Sequence, residues 1–202
     1  MVLLLALGIA GVADLPVSRS LLAQEAPAQA TTASFTQEQA MEPLAWLVGD
    51  WEGEGWIQRG PGPRMEFTQT EHVESAFGGR ILLVEGLGRA KPSGGAETGP
   101  AAGSVVHEAY GVLSWDLEEG DYSFDTYLAD EAGVDAEATL EDGILTWGFE
   151  AGGGQIRFRI QQTEQGEWHE TGGFSPDGTT WHPFFEMTLH RAGEAPAPEG
   201  TQ

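Results

Sequence analysis

The chain contains no cysteine. That absence excludes disulfides, thiolate metal centres and cysteine nucleophiles. Positive charge is scarce: nine Lys and Arg stand against 32 Asp and Glu, a formal net charge of −23. A surface of that sign repels phosphate backbones and anionic headgroups, which excludes nucleic acid and acidic membranes as partners. It also favours solubility. Long apolar runs are missing too. The most marked, residues 2–13 (VLLLALGIAGVA), is too short to cross a bilayer, so no integral membrane span is expected. No GxSxG elbow, P-loop or strand–GxGxxG–helix unit occurs. His107-Glu108 and His169-Glu170 lack the second histidine of HExxH. On these grounds no catalytic residue and no metal ligand is assigned.

What is present describes one β domain. Of 202 residues, 40% are hydrophobic and 9% aromatic, enough for one core and against compositional disorder. The 29 glycines are scattered among aromatics with no triplet period, which excludes collagen and suits many short strands joined by tight turns. Residues 2–13 have the length of a signal-peptide core, and small residues follow in Leu21–Ala30 (LLAQEAPAQA). Residues 1–34 are therefore expected to be a signal peptide and a disordered linker, although no Lys or Arg precedes the apolar run. The expected location is secreted or periplasmic. The tail, 192–202, is acidic, Pro-rich and expected to be disordered.

The domain is placed at residues 35–191. Thr36 followed by Gln39 is a helix-start signal, and Pro43 interrupts the helix before Gly49. From Trp51 onward a two-residue period dominates. Met65, Phe67, Val73 and Phe77 share one face, while Arg64, Glu66, Thr68, Thr70, His72 and Glu74 share the other. Ile156, Phe158 and Ile160 alternate with Gln155, Arg157, Arg159 and Gln161, and Trp181, Phe185, Met187 and Leu189 form a further face. Turn signals separate the runs, among them Asp142-Gly143, Gly152-Gly153-Gly154 and Ser175-Pro176-Asp177-Gly178. The rhythm predicts about ten strands in an all-β, up-and-down antiparallel barrel. Wall side chains fill a barrel of that size poorly, so a ligand cavity is expected.

Gly49-Asp50-Trp51 follows the short helix, and Arg191 closes the last strand. This resembles the calycin arrangement of lipocalins and fatty-acid-binding proteins. The resemblance implies a barrel floor in which the cation of Arg191 covers Trp51. The segments LAWLVGDWEGEG (Leu44–Gly55), FGGRILLVEG (Phe77–Gly86) and EWHETGGFSPDGTTWHPFFEMTLHR (Glu167–Arg191) resemble the bacterial lipocalin-like family called domain of unknown function fifteen-seventy-nine. That resemblance implies a fold and no reaction. A more distant likeness is to the nitrobindin family, ten-stranded barrels that bind ferric haem through a last-strand histidine. Here that strand offers His182 and His190, both on the face opposite Phe185, Met187 and Leu189. Haem would need a bulge near Pro183 to turn His182 inward; otherwise no cofactor is expected.

Eight residues are candidates for lining a ligand site: Phe67, Arg80, Glu85, Trp115, Tyr127, Phe158, Glu170 and Phe185. Glu170 is in register with Trp168 and Phe174, and Glu85 with Ile81, Leu83 and Leu87. An inward carboxylate takes a raised pKa unless a cation such as Arg80, Arg157 or Arg159 pairs with it. The five histidines lie mostly on the polar face. The expected function is binding of a small hydrophobic or amphipathic molecule. The alternatives are a haem-dependent or acid/base enzyme in the same barrel, and a solid structural barrel.

Overall fold

The computed structural model describes residues 35–92, 100–129 and 132–193. The expected signal peptide and linker lie outside them, as do the tail beyond Gly193 and the centre of the 90–104 loop. Helix α1 (Gln37–Met41) starts on a capping box: the Thr36 hydroxyl accepts from the Gln39 backbone N–H, and the Gln39 side chain accepts from the Thr36 N–H. Pro43 then tightens the chain into a 3-10 turn, Glu42–Leu47.

Ten strands follow: β1 (Gly49–Ile57), β2 (Met65–Ala76), β3 (Ile81–Ala90), β4 (Val105–Asp116), β5 (Asp121–Leu128), β6 (Val134–Glu141), β7 (Ile144–Ala151), β8 (Gly154–Gln162), β9 (Trp168–Ser175) and β10 (His182–Arg191). Each pairs antiparallel with its neighbours in sequence, and β1 closes on β10. The result is the all-β, up-and-down antiparallel barrel expected, with its short N-terminal helix. Closure leaves no strand edge to solvent.

Side-chain parity runs consistently around the wall. Phe67, Gln69, Glu71 and Val73 of β2 point inward, and their β3 partners are Ala90, Gly88, Gly86 and Val84. This register corrects two expectations. Phe77 does not share the inner face; it sits in the β2–β3 turn at φ 52 and is 78% exposed. Along β3 it is Leu82, Val84 and Gly86 that face in, not Ile81, Leu83 and Glu85, because Val73 pairs with Val84. One residue of register exchanges the two faces of a strand.

The packed core occupies one end. Met41, Leu44, Leu47, Trp51, Leu113, Leu145, Trp168 and Leu189 are buried there under the helical segment. The Trp46, Trp51 and Trp168 rings meet edge to face, with centroids 5.9 to 6.2 Å apart. Arg191 lies over Trp51, 3.9 Å from its ring centroid. Its guanidinium donates to the Trp46 carbonyl at 2.7 Å and to that of Val48 at 2.5 Å. The expected floor is present, and it closes one end of the barrel.

Candidate functional site

Above the floor the barrel is hollow. A cavity of about 770 Å³ opens at the other end, among the β1–β2, β5–β6 and β9–β10 connections. Its walls are mainly aromatic. Phe67 stacks on Phe185 with centroids 5.8 Å apart, and Trp147 stacks on Phe158 at 4.5 Å. Phe124 meets Trp147 edge to face at 4.9 Å. Inward glycines make room for them. A Cβ at Gly172 would fall 2.9 Å from Phe185 and 3.0 Å from Phe158, and one at Gly111 would fall 2.6 Å from Phe124. These contacts are closer than carbon packing permits.

Two acids interrupt the apolar lining near the floor. Glu71 of β2 and Glu170 of β9 are each 7% exposed, and both line the cavity. Neither enters an ion pair among the described residues. Gln69 donates from Nε2 to Glu71 Oε1 at 2.7 Å, while its own Oε1 is buried with no partner. Gly86 lies opposite Glu71, and a Cβ there would meet the carboxylate oxygens at 2.7 and 2.8 Å. The glycine is what lets the carboxyl lie flat against β3. Burial pushes the Glu71 carboxyl up to about 7, only partly offset by the Gln69 hydrogen bond. Burial pushes Glu170 up to about 8, and the nearby charge of Glu71 adds to the shift. The Trp168 indole N–H lies near Glu170 and favours its ionised form, yet makes no well-formed hydrogen bond to any described group.

The mouth carries the basic groups of the lining: Arg59, His107 and His182. Desolvation by the wall lowers the His107 pKa, and the charge of Arg59 lowers it further. His182 was expected to face outward. A β-bulge between Pro183 and Phe185 shifts the register by one residue, pairs His182 with Phe174 and turns it to the cavity. His107 also departs from the expected polar face. The remaining histidines keep to that face, each beside a carboxylate: His72 with Asp50, His169 with Glu186 and His190 with Glu52.

Of the eight candidate lining residues, the structure brings Phe67, Phe158, Glu170 and Phe185 together in the cavity. It places the other four elsewhere. Glu85 is exposed on the outer face opposite His72, for the register reason given above. Tyr127 also faces out, 56% exposed, because the pairing of Phe124 with Leu113 turns Phe124 and Thr126 inward instead. Arg80 sits in the β2–β3 turn and donates from Nε to Glu38 at 2.6 Å. Trp115 does point inward, but into the closed end, where it packs against Phe35 and Tyr122. Arg80 is thus no partner for a buried acid. Arg157 is none either: its guanidinium stacks 3.8 Å from the Trp181 ring.

Sequence reasoning missed Glu71 and Gln69. The signal was present, since both share parity with Phe67 and Val73. It was obscured by the acidic residues of the same strand, most of which do face solvent. Among the described residues no group of three or more His, Asp or Glu converges as a metal site.

No protein-family model matches the chain, and no curated protein matches it. Among solved structures it is similar to the crystal structure of Rv2717c from M. tuberculosis. Identity is 15% and the TM-score 0.54, over 75% of this chain and 96% of that one. At that identity the likeness shows the barrel fold alone.

Proposed function

We propose that this protein is an exported, lipocalin-like binding protein for a small hydrophobic or amphipathic molecule. The observation that carries the reading is the cavity of about 770 Å³, floored at one end, open at the other and walled by stacked aromatics. Its size lies within the range of roughly 300–1,000 Å³ typical of ligand sites. Export rests on residues 2–13, and N-terminal sequencing of protein purified from its host tests it.

Binding is tested by titration with Nile red, a neutral apolar dye, together with native mass spectrometry of protein taken from its host. Saturable dye binding is expected, and Ala109→Trp, which places an indole inside the cavity, should abolish it. Absence of dye binding and of any co-purifying molecule would sink the proposal.

The bulge at Pro183 favours a second reading, in which the cavity takes haem. His182 at the mouth and the aromatic walls would be the residues that hold it. Bound haem would supply the redox and ligand-binding chemistry of its iron. Haemin titration should then give a Soret band that is lost in His182→Ala; a spectrum equal to free haemin removes this reading.

A further inference from the structure

The deep end of the cavity carries a chemical preference of its own. Glu71 and Glu170 project into it, and among the described residues no cation lies beside them and the buried Gln69 Oε1 has no hydrogen-bond partner. The unpartnered oxygens there are acceptors, set against one unpartnered donor, the Trp168 indole N–H. The surrounding wall contributes no countercharge: β1 turns Gly53 and Gly55 toward the acids, β3 turns Gly86 and Gly88, β8 turns Ile160, and β10 turns Met187. The basic groups of the lining, Arg59, His107 and His182, are at the mouth. A buried acid pair with no countercharge is a costly arrangement for an empty barrel. An occupant that brings donors and positive charge removes the cost.

We propose that the natural ligand is a cationic amphiphile, a primary amine on an apolar body, bound with its ammonium at Glu71, Glu170 and Gln69 and its body against the aromatic wall. This rests on the binding-protein reading above. An ammonium offers three N–H donors, matching the two carboxyls and the orphaned amide oxygen. The net charge of −23 concentrates cations at the protein surface and repels fatty acids. Ligands of the opposite polarity, with a carboxylate held near Arg59 and the mouth histidines, are the competing arrangement.

Proton balance follows from the chemistry. Where a carboxyl is protonated in the empty cavity, the incoming ammonium breaks its O–H bond. The proton leaves to the buffer, and an N–H of the ammonium donates to the carboxylate that remains. Both acids are held above the ordinary carboxyl range, so at pH 6.5 this exchange is measurable.

Octylamine, octanol and octanoate are compared by calorimetry at pH 6.5 on the full chain, with Nile red binding followed in parallel. Octylamine is expected to bind at least about ten-fold more tightly than the other two. It should release about one proton per amine, read from the enthalpy in buffers of different ionisation heat. In the Glu71→Gln, Glu170→Gln double variant the amine advantage and the proton release should both vanish while Nile red still binds. That last signal shows the cavity intact. Octanol or octanoate binding as tightly as the amine overturns the inference, as does an amine advantage that survives the double substitution, which would mean attachment to the acidic surface. Loss of Nile red binding by the unsubstituted protein overturns the binding reading itself, and this inference with it.

Discussion

The guanidinium of Arg191 bridges the end of β10 to the chain before β1, lying over Trp51 while donating to the carbonyls of Trp46 and Val48. One side chain thereby joins the last strand, the first strand and the floor. Arg191→Met keeps the stem but leaves two carbonyls without their donor. A loss of roughly 2–4 kcal/mol is expected from urea unfolding. Nile red affinity should change little, because the floor is separate from the cavity. A variant as stable as the parent would show that Arg191 is ornamental.

Gly86 and Glu71 form a second pair worth testing. Gly86→Ala drives a methyl into the carboxylate of Glu71 and should cost about 1–3 kcal/mol. In a Glu71→Ala background the same change meets no carboxylate and should cost less than about 1 kcal/mol. Additive effects in this double-mutant cycle would place the Glu71 side chain elsewhere.

Stability should fall as pH rises. Both buried acids have folded pKa values above the ordinary 4.5, at about 7 and about 8. Below pH 4.5 folded and unfolded chains hold these protons alike. Between 4.5 and 8 the unfolded chain releases them first while the folded chain retains them, so stability declines across that window and levels off above it. The decline is on the order of a few kcal/mol. Thermal unfolding from pH 5 to 8.5 should show it, and Glu71→Gln with Glu170→Gln should flatten it. At the acid end the sign reverses. Glu38 beside Arg80, and Asp177, which accepts from the Thr179 and Thr180 backbone N–H groups, both have lowered pKa values. Their contribution is lost as pH falls below the ordinary carboxyl range.

Tyr122 ties the helix to the barrel. Its hydroxyl donates to the Ala40 carbonyl at 2.6 Å in a buried setting. Tyr122→Phe leaves that carbonyl unpaired and should lower stability by about 1–2 kcal/mol. Protease cleavage near residues 37–47 should become faster, since the helix would then detach more readily. Unchanged cleavage would mean that apolar packing alone holds it.

Local patterning carried a long way in this chain. The capping box at Thr36 and Gln39, the break at Pro43 and the alternation of β2, β8 and β10 all act over a few residues. The structure follows them except where Phe77 enters the β2–β3 turn and the bulge after Pro183 turns His182 inward. The turn at Ser175–Thr180 is equally local: Asp177 caps its backbone, and Gly178 takes the positive φ of 73. The floor was legible through the resemblance carried by Trp51 and Arg191, which stand in the first and last strands, where closure pairs them.

The site was legible only in half. Phe67, Phe158, Phe185 and Glu170 follow from strand parity. Glu85 and Tyr127 did not, because parity within a strand does not say which face is inside. That is settled across the turn, by the pairing of Val73 with Val84 and of Leu113 with Phe124. His182 turns inward through a single bulged residue. Glu71 meets Glu170 electrostatically only because the wall curves. The sequence by itself determined the strands, the turns and the all-β class, since these depend on side-chain alternation and backbone preferences a few residues apart. Only the tertiary structure decided which acids are buried together and left without a cation, because burial and charge depend on neighbours that closure of the barrel brings from distant strands.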